Sequence, residues 1–234
     1  MTRHNKRRRL WAAVSAAAIS CSAAAYAQPD RSHLPIADAP FTGTISEFVQ
    51  DSTGSTSPRV TAPAGAPNVL VFMSDDVGFS MSSTFGGPIP TPNFDRLANK
   101  GTRYNRFHTT GICSPSRAAL LTGRNHHNAA YGYLGSAQFP GYTGRIPAST
   151  ATIAETLRLN GYSTAMFGKH HNAGGAEDAE GAPLSHWPTG LGFEYFYGFV
   201  GGYADQFNPT LYRGTNRAPA AERKGDVVDK RLAD

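Results

Sequence analysis

The pattern of apolar and polar positions along the chain predicts alternating strands and helices from about residue 68 onward. Residues 68–73 form a continuous apolar run, which is typical of a fully buried parallel strand. Helices are predicted to begin at Thr91, at Cys113 and at Thr152, each followed by a first-turn Pro or Glu. The remaining predicted strands are residues 103–108, 162–167 and 192–199. This alternation indicates a parallel sheet of the α/β class.

The first 27 residues are typical of a secretory signal peptide. A basic start precedes an apolar run, and residues 25–27 read Ala-Tyr-Ala, an A-x-A cleavage site. The run is too short and too rich in Ala and Ser to indicate a stable membrane anchor. We therefore expect an exported protein, periplasmic or secreted. Residues 28–66 are rich in Pro, Ser, Thr, Gly and Ala and are predicted to form an extended lead-in arm.

The net positive charge of the chain arises entirely from residues 1–27. The 234 residues carry a formal charge of +5, and the five basic residues at positions 3–9 account for all of it. Beyond residue 27, 17 basic residues balance 17 acidic ones. A neutral mature protein implies no nucleic-acid partner.

The stretch with the strongest chemical signal begins at Cys113. Pro115 suits a first helical turn and Gly123 can end the helix, so Cys113 lies where free backbone N–H groups and the helix dipole favour an anion and lower a thiol pKa. Arg117, one turn later, can bind an oxyanion through two N–H groups. A buried, inert cysteine is the alternative, but Ser and Pro at positions 114–116 are turn and capping residues. After signal cleavage Cys113 is the only cysteine, and an exported lone thiol needs a chemical reason.

The sequences C-S-P-S-R at residues 113–117 and L-T-G-R at residues 121–124 resemble the signature of the type I sulfatases, in the alkaline-phosphatase-like superfamily. The wider sequence resembles bacterial arylsulfatases. The resemblance implies an alkaline-phosphatase/sulfatase-like α/β fold, a mostly parallel sheet with helices on both faces. It also implies that Cys113 is oxidised by a separate maturation enzyme to formylglycine (3-oxoalanine), whose hydrate is the nucleophile.

Two carboxylates, Asp75 and Asp76, follow the first predicted strand, at the sheet edge where α/β proteins bind ligands. Taken alone, an Asp pair is more often a helix cap or a solvated turn. Adjacent carboxylates do suit a hard cation, and the resemblance implies that Asp75, Asp76 and the oxidised Cys113 bind Ca²⁺ or Mg²⁺. It also assigns Lys169 to the sulfate ester and His171 to the formylglycine hydrate, because G-K-x-H is a family motif at this place. His170 stands where the family often has Trp and receives no catalytic role.

The resemblance covers residues 68–212, the N-terminal half of the family domain, and no candidates for the second pair of metal ligands follow. We therefore assign residues 67–234 to the N-terminal portion of a sulfatase catalytic domain, with the C-terminal part absent. The expected reaction is hydrolysis of sulfate esters by a nucleophile derived from Cys113. A phosphonate monoester or phosphodiester hydrolase of the same superfamily and an inactive truncated remnant are the alternatives.

Overall fold

The computed structural model of the chain describes residues 40–55, 60–174, 184–219 and 227–233, in two compact units divided after residue 58. In the first unit, residues 40–55 form a loop closed by an antiparallel bridge between Thr44 and Thr53. The predicted signal peptide, residues 1–27, lies outside the described residues. Within the described residues, no helix has both the length and the apolar character needed to cross a membrane.

A four-stranded sheet organises the second unit. Its strands are β1 (Ala165–Lys169), β2 (Tyr195–Phe199), β3 (Tyr212–Arg213) and β4 (Asn216–Arg217), in that spatial order. β1 and β2 are parallel, with Lys169 opposite Phe199, while the β2–β3 and β3–β4 pairs are antiparallel. The predicted strand at 162–167 begins three residues later and runs on to Lys169. The α/β class is confirmed, and the described part of the sheet is mixed rather than mostly parallel, with one parallel and two antiparallel strand pairs.

Within the described residues, four α-helices accompany the sheet: α1 (Pro92–Ala98), α2 (Cys113–Thr122), α3 (Ile153–Leu159) and α4 (Val228–Ala233). Local sequence signals explain several of their ends. The hydroxyl of Thr152 accepts the backbone N–H of Glu155 and caps α3, as predicted. Gly123 ends α2 with φ of 64°, a left-handed conformation that glycine adopts without strain.

Two predicted strands do not form among the described residues. Residues 68–73 form no paired strand, and Leu70 is 92% exposed. Residues 103–108 are exposed loop. An apolar run predicts that the segment is buried. A β-strand additionally requires a neighbouring backbone segment with which it can form hydrogen bonds. The described chain provides no such neighbour for either segment.

The apolar core consists of two small clusters beside the sheet. The first cluster combines side chains of α2 with side chains of the loops before α3 and before β2. The second cluster includes Phe196 of β2. Trp187 is a candidate cleft wall from its place in a Gly- and Pro-rich loop. It is instead 2% exposed and packs edge-on against Tyr212. The buried members are Ala118, Leu121, Ala129, Tyr131, Ile146 and Leu191 in the first cluster and Ala173, Trp187, Phe196 and Val200 in the second.

Candidate active site

Cys113 is the first residue of α2, and its side chain is half-buried. Its sulfur lies 3.1 Å from Nδ1 of His171, 58 positions later in the chain. The predicted helix start at Cys113 is therefore confirmed. The structure also brings together the cysteine and the histidine that the sequence resemblance pairs.

Lys169 and His171 reach the site from the carboxyl end of β1. Lys169 is the last residue of the strand, and the pairing with β2 continues beyond it. The backbone N–H of His170 donates to the carbonyl of Phe199, and that of His171 donates to the carbonyl of Val200. This places the two predicted side chains next to the N-terminus of α2.

Asp75 links the cationic side chains of the site. Its carboxylate accepts hydrogen bonds from Nζ of Lys169 at 2.9 and 3.1 Å and from Nη2 of Arg117 at 3.3 Å. Nη1 of Arg117 donates to the backbone carbonyl of Lys169 at 2.7 Å. Arg117 is nearly buried, at 9% exposure, so it ties α2 to the end of β1 as well as contributing charge.

The charges around the site set two protonation states. Desolvation alone would raise the pKa of Asp75. The hydrogen bond and charge of Lys169, together with those of Arg117, outweigh it and hold that pKa below its usual value. Desolvation, reinforced by the charges of Lys169 and Arg117, lowers the pKa of His171 to about 4. At neutral pH, Asp75 is therefore ionised and His171 is a neutral imidazole able to accept a proton.

A small cavity of about 120 Å³ adjoins His171. Glycines make this space: a Cβ at position 202 would lie 2.6 Å from Nε2 of His171. Ser114 contributes a buried hydroxyl to its wall, and that oxygen has no hydrogen-bond partner within the described part of the chain. His171 thus both contacts Cys113 and lines this cavity.

The predicted metal ligands are only partly assembled. Asp76 is exposed, with a left-handed φ of 52° that Asp tolerates, while Asp75 is engaged by Lys169 and Arg117. No group of three His, Cys, Asp or Glu side chains able to hold a metal occurs in the described ranges. Ca²⁺ requires about six to eight oxygen ligands. The described residues therefore do not make a complete cation site.

Sequence reasoning missed two buried polar residues beside the site. Asn172 is fully buried, and its Nδ2 donates to the carbonyl of Ser114 at 3.0 Å. His170 is fully buried, with Nε2 donating to the carbonyl of His186 at 2.8 Å. A lone Asn at the start of a Gly-rich loop carries no local signal of burial, so only the tertiary structure could reveal it.

Comparison with known proteins identifies relatives over most of the second unit. The sequence model of the family described as Sulfatase matches residues 67–234. An arylsulfatase of Klebsiella aerogenes is 36% identical over 156 residues, a match that covers 65% of this chain and 32% of that protein. Human arylsulfatase A is 38% identical over 136 residues, covering 57% and 26%. The chain spans roughly a third or less of the length of these relatives.

Solved structures show the same likeness. A protein in complex with its substrate, D-glucosamine-2-N,6-O-disulfate, aligns at 26% identity with a TM-score of 0.51, covering 66% of this chain and 28% of that one. The crystal structure of Ps i-CgsB aligns at 24% identity and a TM-score of 0.50, covering 67% and 37%, which shows a shared fold.

Proposed function

Because this chain belongs to the sulfatase family, we propose that it carries the nucleophile-bearing part of a site that hydrolyses sulfate esters, of the arylsulfatase type. The observation that carries the proposal is the contact of Cys113 with His171 at 3.1 Å, beside the cationic side chains of Lys169 and Arg117. A reactive group, a proton acceptor and two cations are the parts that displacement at an anionic ester requires.

Cys113 is the residue that we propose a maturation enzyme oxidises to formylglycine. When present, that group supplies a hydroxyl of its hydrated aldehyde as the nucleophile toward sulfur. Position 113 suits a formylglycine, because the side chain of Cys113 is half-buried at a helix N-terminus and forms no disulfide.

Lys169 and Arg117 provide the proposed electrostatic stabilisation. Negative charge develops on the sulfuryl oxygens as the ester bond breaks, and fixed cations stabilise that charge without having to reorganise. Asp75 keeps the ammonium of Lys169 and the guanidinium of Arg117 close together. Nη1 and Nη2 of Arg117 each donate one hydrogen bond within the protein, so the guanidinium is held in a fixed orientation beside Lys169.

His171 is the proposed general base. It is neutral at pH 7 because its pKa is lowered to about 4, and its Nδ1 faces the reactive side chain. It can therefore accept a proton from a hydroxyl at position 113. By the same resemblance, Asp75 and Asp76 are proposed as two ligands of a divalent cation.

One preparation tests the proposal. The protein is isolated from its native source, and the tryptic peptide 107–117 and the N-terminus are analysed by mass spectrometry. We expect an aldehyde at position 113, with an oxygen in place of the sulfur, and a mature N-terminus at Gln28, as the predicted export signal requires.

Activity is then assayed with an aryl sulfate ester and an aryl phosphodiester at equal concentration. We expect hydrolysis of the sulfate ester to be faster and to be lost in Cys113→Ala, while Lys100→Met, at an exposed position after α1, retains it. A faster reaction with the phosphodiester would replace the proposed substrate class. An unmodified thiol together with no turnover would reject the enzymatic proposal.

A further inference from the structure

His171 occupies a backbone conformation that histidine rarely adopts. Its φ of 57° lies in the left-handed region, where a side chain with a Cβ is disfavoured by about 1–2 kcal/mol. Such strain persists only where the surrounding structure enforces it, and it is concentrated at functional sites. The contacts on either side of His171 therefore need to be strong.

Both flanking residues are completely buried and anchored through their side chains. On one side, Nε2 of His170 donates to the carbonyl of His186 at 2.8 Å. On the other side, Nδ2 of Asn172 donates to the carbonyl of Ser114 at 3.0 Å. The chain around His171 is thus fixed at two points, one in the loop before β2 and one in the first turn of α2.

The second anchor is in register with the reactive contact. His171 meets Cys113 and Asn172 meets Ser114, and both pairs are 58 positions apart. The amide of Asn172 therefore holds together the two chain segments that carry the sulfur and the imidazole. A shift between these segments would change the distance from Nδ1 to the side chain of Cys113 directly.

We propose that Asn172 is a positioning residue of this site, whose hydrogen bond to the carbonyl of Ser114 keeps the imidazole of His171 aimed at residue 113. The amide nitrogen carries this role. The amide oxygen of Asn172 is buried without a hydrogen-bond partner in the described chain, so it provides no second link. The proposal rests on the proposed function only in treating His171 and residue 113 as reacting groups.

The test uses the reactivity of the Cys113 thiol and so does not require sulfatase activity. The full chain is produced in cells that lack the maturation enzyme, and alkylation by iodoacetamide is followed on peptide 107–117. We expect His171→Gln to slow alkylation by about threefold or more, because it removes the imidazole. We expect Asn172→Leu to slow it to a similar extent, because it removes the hydrogen bond that aims the imidazole at Cys113. In the double variant we expect no further slowing, since Asn172 acts through His171.

Leucine is a suitable replacement because its side chain has the same number and branched arrangement of heavy atoms as that of Asn, and it removes the unpartnered oxygen together with the donor. Asn160→Leu is the matched control. Its Nδ2 also donates to a backbone carbonyl, that of Thr156, but at the end of α3. We expect it to leave the alkylation rate unchanged. Thermal unfolding verifies that each variant is folded, and Asn172→Ala replaces Asn172→Leu if the latter is not.

An unchanged rate in folded Asn172→Leu would overturn the proposal, as would effects of the two substitutions that simply add. Coupled effects on the thiol support it even if the native protein hydrolyses no sulfate ester, a result that would reject only the proposed function. In an active mature enzyme, we expect Asn172→Leu to lower kcat about threefold or more with little change in KM, because the substituted amide contacts no substrate.

Discussion

Asp75 is the carboxylate that fixes the positions of the cationic side chains in the site. It accepts from Lys169 and Arg117, and Arg117 in turn donates to the backbone of Lys169. The side chain of Lys169 is only 9% exposed, so its ammonium is partly desolvated and held in one place. Fixed charges in a partly desolvated site stabilise a developing anion better than mobile, hydrated ones do.

This arrangement leads to a prediction for Lys169. In the mature enzyme, Lys169→Met removes one of the two cations of the site but keeps an unbranched side chain of similar length. We expect kcat for an aryl sulfate to fall by about 10²-fold, the usual cost of removing one group that stabilises transition-state charge. Lys100→Met is the control, and steady-state kinetics is the measurement. A change confined to KM would contradict the role, because it would indicate uniform binding only.

Because His171 has a left-handed backbone conformation, glycine should be more stabilising than alanine at this position, the reverse of the order inside a helix. At this position we expect His171→Gly to be more stable than His171→Ala by about 1 kcal/mol, because only glycine relieves the strain. At Arg96, an exposed position inside α1, we expect the opposite order: the free energy of unfolding of Arg96→Ala should exceed that of Arg96→Gly by about 0.5–1 kcal/mol. Urea unfolding of the four variants measures both differences. The same sign at both positions would mean that His171 is unstrained.

The helix α2 and the strand β1 carry the site. The ends of the helix can be predicted from the sequence, whereas the contacts between the two elements cannot. The start of α2 at Cys113 and its end at Gly123 follow from local rules about Pro and Gly, as does the cap of α3 by Thr152. The motif around Lys169 and His171 was visible only through a family resemblance. The anchor of Asn172 on Ser114 could not be predicted at all, because it joins residues distant in sequence and leaves no periodic signal.

The segment at residues 68–73 shows the limit of hydrophobic patterns. Its composition indicates burial, yet four of its residues are more than half exposed in the described structure. Burial depends on what lies opposite, and that information is not in the segment itself.

A pair of equivalent substitutions tests this exposure. Leu70 is 92% exposed, whereas Leu121 in α2 is 7% exposed within a core cluster. In the 234-residue chain we expect Leu70→Ala to change the free energy of unfolding by less than about 0.5 kcal/mol and Leu121→Ala to cost about 2–5 kcal/mol. Denaturant unfolding measures both. A large loss in Leu70→Ala would indicate that residues 68–73 are buried after all.

At the scale of the whole molecule, three groups at or beside the candidate site respond to acid in the same direction. The pKa of His170 is lowered to about 4, mainly by complete burial, and that of His171 is lowered to about 4 by desolvation and neighbouring cations. The pKa of Asp75 is below its usual value through its pairing with Lys169 and Arg117, despite partial desolvation. Each group binds protons more weakly in the folded protein than in the unfolded chain.

The sign of the effect follows from linkage. A pKa that is lower in the folded state than in the unfolded state gives stability that is fully present above the unfolded value and lost as the pH falls through the folded value. For the histidines this window runs from about pH 6.5 to about pH 4, and the contribution of Asp75 is lost at still lower pH. His170 alone contributes roughly 3 kcal/mol across its window, since one pKa unit corresponds to about 1.4 kcal/mol.

We therefore expect the thermal unfolding temperature to fall steadily between about pH 7 and about pH 4, the range in which the two histidines become protonated on unfolding. His170→Gln can still donate to the carbonyl of His186 but cannot titrate, so its unfolding temperature should depend less steeply on pH in this range. His108→Gln, at an exposed position, should retain the slope of the unsubstituted protein. Parallel curves for the two variants would show that His170 is not held neutral by burial, and the loss of stability in acid would then have to arise elsewhere in the molecule.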